Sequence, residues 1–396
     1  MKILVSNIGS TSFKFRLFDL ADGERELAAG GADRIGAVGS AAKLVIDGAE
    51  SRENRDFADH GECIRYVLDR LVAGGALAGP GDLDAVAFKA VMGGDCEPVT
   101  LVDEALLERM EYFIPVAPAH NPPYIAAMRM FAQTLDDTPL VAAFEPGFHR
   151  TMPARRRYYA TPPKWADEYG VKRYGFHGAS HRYIATKLAE LMPEASRVIS
   201  CHLGGSSSLC AIRQGESVAT SMGLSPQSGL PQSNRAGDLD PYSLKLMAAQ
   251  TGRDLDGLLA ELGSKAGLAA LSGTGGDMRD IRQGVTDGDE RCTLAMDVYV
   301  TAIRDYLGAY LVELGGADAI VFTGGIGLHD HALRASVLAG LEFAGVRLDE
   351  EKNKSCGDGE RIDAAGSATA VWVLETNEEL IVARQAAALL SELKHN

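Results

Sequence analysis

The sequence predicts an α/β protein built from two related halves, and three observations lead there. Strand-like and helix-like apolar patterns alternate along the whole chain. Two hairpin-like segments nearly half the chain apart echo one another: Lys2–Asp19 reads KILVSNIGSTSFKFRLFD and Arg197–Gly215 reads RVISCHLGGSSSLCAIRQG. Gly- and Ser-rich turns follow several of the strands. By itself the echo fits either a duplication or a chance likeness between two ordinary hairpins.

In chain order, residues 2–8 and 12–19 read as strands around a Gly-Ser turn. Residues 61–73 and 103–112 read as helices, and 84–92 as a buried strand. A helix begins near His120-Asn121-Pro122, with Asn121 as its N-cap and Pro at the first helical position. A strand at 139–144 follows. The stretch 154–175, rich in Arg, Pro, aromatics and Gly, reads as a loop crossing between the halves. Strand, helix and strand signals resume over 178–213. Asp240-Pro241 opens another helix. A long helix covers about 289–313, its start supported by the acidic stretch near Asp287–Glu290. Strands at 318–323 and 370–374 and a terminal helix at 377–392 complete the pattern.

Composition bounds the function. The 396 residues suffice for two or three domains. A net charge of -15 argues against nucleic acid and anionic membranes as partners, so local cations must draw in any anionic substrate. No apolar run approaches the roughly 20 residues of a membrane helix, and the first residues lack signal-peptide character. The six scattered cysteines form no metal spacing and read as reduced thiols, which predicts a cytoplasmic protein. Met110, Met128 and Met130 read as core fillers, and the Arg155–Arg157 run as a solvated loop or a subunit contact.

Three glycine clusters could bring backbone N–H groups close to an anion: Gly9-Ser10-Thr11-Ser12, Gly204-Gly205-Ser206-Ser207-Ser208, and Thr323-Gly324-Gly325-Ile326-Gly327 after the strand at 318–323. None is a Walker A loop. Of nine histidines, His120, His149, His177, His181 and His202 sit in distinctive contexts. His177 and His181 are spaced as a helical metal pair, but Gly178 interrupts them and the Glu of an HExxH motif is absent, so phosphate contact or core packing fits better.

At these residues the chain resembles the acetate and propionate kinase family. Asn7-x-Gly-Ser-x-Ser, Ala117-Pro118-x-His-Asn-Pro, Tyr174-Gly-Phe-His-Gly-x-Ser-His, His202-Leu-Gly and Thr220-Ser-Met-Gly occur in family order. Arg235-x-Gly-Asp-x-Asp-Pro, Ser272-Gly, Asp277-Met-Arg-Asp-Ile, Phe322-Thr-Gly-Gly-Ile-Gly and Asn377-Glu-Glu-Leu-x-x-Ala-Arg continue the series to the C-terminus. The resemblance implies a duplicated actin/hexokinase-like (ribonuclease H-like) ATPase fold, two lobes around a cleft. Residues 1–150 with 378–396 would form the N-terminal lobe, and 151–377 the nucleotide-binding lobe. It implies reversible transfer of the γ-phosphoryl of ATP to a short-chain carboxylic acid, with magnesium or manganese, in a homodimer.

Roles carry over by position. Asn7 and Glu378 correspond to metal ligands. Ser10, Ser12 and Lys14 lie in the first phosphate hairpin, and His202, Gly204 and Gly205 in the second. His177 matches the histidine at the transferring phosphoryl group, Arg235 an arginine that steadies phosphate and carboxylate, and His120 a further active-site histidine. Asp277, Arg279, Gly324, Gly325, Ile326 and Gly327 fall where the family holds adenosine. Val91, Phe176 and Pro226 match the acyl pocket.

Four departures stand out. Lys89 replaces an Arg, which matters because Lys cannot grip an anion bidentately. Glu145 replaces a catalytic Asp. Ala119 replaces a pocket Leu, which enlarges the acyl pocket and favours a bulkier acid than acetate. On the nucleotide side, Gly205-Ser206 replaces Asn-Gly and Leu328-His329 replaces Glu-Asn, which leaves the donor open. A same-fold kinase with another donor or an alcohol acceptor, and an inactive nucleotide-binding homologue, remain alternatives.

Overall fold

A computed structural model of the chain describes every residue except Ser10, Asp22, Asp136 and Asn396, with the Pro80 side chain left aside. The chain forms two compact units: Met1–Gly147 with Asn377–Asn396, and Phe148–Thr376.

The first unit opens with an antiparallel meander of β1 (Lys2–Gly9), β2 (Ser12–Asp19), β3 (Arg25–Asp33), β4 (Ala41–Ile46) and β5 (Ala49–Asn54). Helix α1 (His60–Ala73) leads to β6 (Ala85–Ala90), parallel to β1. Then come β7 (Val99–Leu101), α2 (Glu104–Tyr112), α3 (Asn121–Thr134) and β8 (Leu140–Phe144), the last parallel to β6. The sheet order is β5-β4-β3-β2-β1-β6-β8-β7. On one face Phe131 of α3 packs edge-on to Phe88, ring centroids 5.4 Å apart.

The second unit repeats this plan. Short helices α4 (Ala154–Arg157) and α5 (Pro163–Asp167) precede α6 (Gly178–Leu191). Next comes the meander β9 (Arg197–His202), β10 (Ser208–Arg213) and β11 (Glu216–Thr220). Helices α7 (Tyr242–Thr251), α8 (Leu255–Ser264), α9 (Gly267–Ser272), α10 (Met278–Thr286) and α11 (Glu290–Leu314) follow, then β12 (Ala319–Thr323), parallel to β9. After α12 (Gly324–His329), α13 (His331–Leu338), α14 (Glu350–Ser355) and β13 (Glu360–Arg361), β14 (Ala370–Val373) runs parallel to β12. The order β11-β10-β9-β12-β14-β13 matches β3-β2-β1-β6-β8-β7 strand for strand, including the antiparallel edge. The duplicated fold is therefore present, and the echo marks the equivalent hairpins β1–β2 and β9–β10. Tyr299, Ile303 and Leu307 of α11 cover one face of this sheet, and Ile184 and Leu188 of α6 the other. Each such side chain taken from water contributes about 1.5–3 kcal/mol. The terminal helix α15 (Glu378–His395) lays Val382, Ala383 and Ala386 on β1, β6 and β8 of the first unit.

The structure corrects four sequence expectations. The order over 178–213 is helix, strand, strand. The stretch 154–175 is not all loop, since α4 and α5 lie within it. The three strands over 25–54 were not foreseen. Asn121 is not a cap: His120 holds the N-cap position, and the buried Asn121 amide donates to Met92 O (2.8 Å) and Met110 O (2.7 Å). The long helix does start at an acid, with Asp289 accepting from the backbone N–H groups of Arg291 and Cys292. Met110 and Met128 are fully buried; Arg155 and Arg156 ion-pair with Glu313. Among the described residues no helix is long and apolar enough to cross a membrane.

Candidate active site

In the first unit three parallel strands deliver polar residues at their carboxyl ends, where open α/β sheets hold ligands. Asn7 lies near the end of β1, Lys89 near the end of β6, and Glu145 directly after β8. Glu378 is the first residue of α15, where the helix N-terminus favours a carboxylate. These elements bring together residues far apart in sequence. Lys89 Nζ donates to Glu378 Oε2 at 2.5 Å and stands 3.8 Å from Glu145 Oε1. Burial opposes the Lys89 charge, but the carboxylates of Glu378 and Glu145 outweigh it and raise the pKa above the ordinary lysine value. Asn7 Oδ1 accepts from the Tyr124 hydroxyl at 3.0 Å, and burial pushes that hydroxyl up to about 12. Lys14 pairs with Asn7 across the hairpin, so both side chains share one face of the sheet. Ser12 opens β2 and Ser10 lies outside the described residues. Val91 is buried just past β6, while Ala119 is exposed before His120.

Asn7 and Glu378 are hard oxygen donors. Among the described residues no three His, Cys, Asp or Glu side chains gather as a metal cage. One or two protein oxygens are what magnesium takes when phosphates and water complete its shell, so these residues fit magnesium or manganese.

In the second unit a histidine–serine network surrounds the start of α6. His177 sits at the N-cap position in a left-handed conformation (φ 56°), and its Nδ1 lies 2.8 Å from Ser208 Oγ. The same hydroxyl lies 2.9 Å from His181 Nε2, and His181 Nδ1 lies 2.9 Å from Ser200 Oγ. His202, the last residue of β9, meets Ser180 Oγ at 2.8 Å and stacks on the His177 ring, centroids 4.3 Å apart. His149 fixes the turn before His177. Its Nε2 is 3.0 Å from Phe176 O, an acceptor only, so Nε2 carries the proton and Nδ1 accepts from Ser217 Oγ at 2.8 Å. Burial lowers the His149 pKa to about 4, Arg182 adds to the shift, and His181 is pushed well below the usual histidine value. Both rings are therefore neutral at pH 7. Gly175, at φ 81°, supplies the turn, and a Cβ there would stand 2.5 Å from Thr220 Cγ2.

Gln232, which sequence reasoning missed, ties the rest together. Its Oε1 accepts from Ser206 Oγ (2.7 Å) in the β9–β10 turn and from Arg235 Nη1 (3.1 Å). Its Nε2 donates to Pro226 O at 2.7 Å. Phe176 and Pro226 are buried in this unit.

Beside the β9–β10 turn lies a cavity of about 680 Å³. Gly204, Gly205, Asp277, Arg279, Gly325 and Ile326 line it, and Gly324 and Gly327 are their chain neighbours. Gly324 requires its residue type: at φ 76° a Cβ would press within 2.6 Å of Leu203 O. Asp277 caps α10, and the Arg279 guanidinium donating into it lowers its carboxyl to about 2. Gln283, Thr286, His329 and the Arg282–Asp330 ion pair (2.6 Å) also line the cavity. His329 is one of the nucleotide-side departures; no motif announces Arg282, Gln283, Thr286 and Asp330, whose one signal is their position on the helix that Asp277 opens or just past the glycine cluster.

A model of the acetokinase family matches residues 2–384. An acetate kinase of Shouchella clausii is 37% identical over 98% of this chain and 100% of its own length. One from Geobacillus kaustophilus is 37% identical over 97% and 98%. Among solved structures, the acetate kinase of Porphyromonas gingivalis superposes with a TM-score of 0.88 at 32% identity, covering 98% of this chain and 99% of that one. A propionate kinase from Francisella tularensis superposes with 0.90 at 29% identity, covering 97% and 98%.

Proposed function

The chain belongs to the acetokinase family, and from that premise we propose that it transfers the γ-phosphoryl of ATP to a short-chain carboxylic acid, giving an acyl phosphate. The observation that carries this reading is the 680 Å³ cavity. It is roomy enough for a nucleoside and is flanked by two of the glycine turns whose N–H groups suit phosphates.

The acid is already ionised at neutral pH, so its carboxylate attacks without a general base. What must be overcome is repulsion between two anions, so positioning and charge stabilisation do the catalysis. In the second unit, Gly204, Gly205, Asp277, Arg279, Gly325 and Ile326 would hold the nucleotide. His177 and His202 would donate N–H groups to phosphoryl oxygens, with Arg235 neutralising charge. The neutral His149 and His181 keep those donors in place without adding charge. In the first unit, Lys89 would be the cation for the reacting anions, with Glu145 3.8 Å away, while His120, Ser12 and Lys14 would contact phosphate or acid. Asn7 and Glu378 would hold magnesium or manganese, which when bound offsets phosphate charge. Val91 of the first unit, and Phe176 and Pro226 of the second, are the buried apolar residues that the resemblance assigns to the alkyl group. Ala119, smaller than the Leu of the resemblance, favours propionate or a somewhat bulkier acid over acetate.

A second copy of the chain is the expected partner. Helix α7 contains no buried residue, and Leu239, Tyr242, Leu246, Leu255 and Leu259 are exposed around α7 and α8. Cys63, Cys201, Cys210, Cys292 and Cys356 are free thiols, which suits a reducing cytoplasm.

Phosphorus NMR of ATP, magnesium and propionate with the protein tests the reaction. Growth of an acyl phosphate signal as the γ-phosphate declines supports it. Release of inorganic phosphate alone, or no change, contradicts it.

A further inference from the structure

We propose that Lys89 exchanges partners. Glu378 holds its ammonium while no metal is bound, and a divalent cation taking the Glu378 carboxylate turns that ammonium over to the acid substrate, so metal and acid bind with positive coupling. This rests on the reading of Glu378 as a metal ligand.

The geometry sets up the exchange. Lys89 Nζ is 2.5 Å from Glu378 Oε2, and the two side chains are 20% and 13% exposed. A metal ion at that carboxylate would meet the ammonium at a distance where two cations repel strongly, more so with little water between them. One of them must leave. The Glu378 carboxylate sits at the N-terminus of α15, whose N–H groups favour a negative charge there. The Lys89 backbone is held in place: Lys89 pairs with Ala143 of β8, and the residues of β6 before it pair with β1 as well. Its side chain is not: a four-carbon stem carries one compact charge with three donors. Glu145 Oε1, 3.8 Å away, gives the departing ammonium a second carboxylate to lean on. The remaining donors can then take an anionic oxygen. A planar Arg fork would grip one carboxylate in a fixed bidentate geometry, whereas the compact Lys charge can swing from one partner to the next. By linkage, whatever the metal does for the acid, the acid does equally for the metal.

The test measures binding, not turnover, on the full chain. Mn²⁺ alone is titrated by the EPR signal of the free ion, into wild type, Lys89→Met and Glu378→Gln, each checked for an unchanged circular dichroism spectrum. Propionate affinity is then measured by calorimetry with and without Mn²⁺. The expected result is roughly tenfold tighter Mn²⁺ binding in Lys89→Met and lost binding in Glu378→Gln. Mn²⁺ should tighten propionate by roughly fivefold or more in wild type and by nothing in Lys89→Met. Weaker, equal or absent Mn²⁺ binding in Lys89→Met would show Lys89 to be a fixed strut and overturn the proposal, even with Glu378→Gln behaving as expected. Undiminished Mn²⁺ binding in Glu378→Gln would instead remove Glu378 from the metal site, and the functional reading of that residue with it. Should Lys89→Met not fold, propionate affinity in wild type that ignores Mn²⁺ overturns the proposal by itself.

Discussion

His149 makes the stability of the second unit depend on pH in a calculable way. Its ring is 1% exposed, donates to Phe176 O and accepts from Ser217, and burial lowers its pKa from 6.5 to about 4. Below pH 6.5 the unfolded chain takes up a proton that the folded chain refuses. Its contribution is thus complete above pH 6.5 and is lost as pH falls toward 4. Linkage puts the loss at about 2 kcal/mol at pH 5 and about 3 kcal/mol at pH 4, relative to pH 7. Carboxylates and His181 titrate in the same range, so the measurement must be a difference between wild type and His149→Asn. Both tryptophans, Trp165 and Trp372, lie in the second unit, and their fluorescence reports its urea unfolding. The stability advantage of wild type over His149→Asn should shrink by about 2 kcal/mol between pH 7 and pH 5. An advantage that is constant to about 0.5 kcal/mol would refute the burial argument, and with it the claim that a neutral His149 anchors the turn carrying His177.

Other outcomes follow from single contacts. Asn121→Ala leaves the Met92 and Met110 carbonyls without their buried donor and should cost about 2–4 kcal/mol in urea unfolding; a loss under about 0.5 kcal/mol would mean water replaces the amide. Nothing lies within 4 Å of a Cβ built on Gly325, which lines the cavity. Gly325→Val should therefore keep the wild-type melting temperature yet weaken nucleotide binding by roughly tenfold in calorimetry, and unchanged affinity would move the nucleotide elsewhere. Arg235→Ala should fold normally and lose turnover by a factor on the order of a thousand; a wild-type rate would take Arg235 out of the site.

Local chemistry carried much of the fold into the sequence. The β1–β2 and β9–β10 hairpins were legible because alternating apolar residues flank Gly-Ser turns, and α11 because Asp289 caps a long amphipathic run. The strands over 25–54 were not, since β3 is rich in Ala and Gly, weak strand formers. Their reason appears only in three dimensions: a Cβ on Gly31 would lie 2.1 Å from Phe13 O. Asn121 was misread because capping statistics cannot see two carbonyls that arrive from other segments. Site residues with motif character, such as His177, His202, Gly204 and Gly325, could be named in advance. The contact between Lys89 and Glu378 could not, because 289 residues separate them and the sheet and α15 alone bring them together. Gln232 and Ser217 carry no motif either, and act only through the groups they join.

The central claim, phosphorylation of a carboxylate, is tested most directly by trapping the product with hydroxylamine. The protein would be incubated with magnesium, ATP and, in separate reactions, acetate, propionate, butyrate and hydroxy- or amino-substituted acids, with GTP and pyrophosphate as alternative donors. The account predicts hydroxamate with ATP, highest for propionate or a somewhat larger acid. No hydroxamate from any acid with any donor, while the nucleotide still binds, would contradict it.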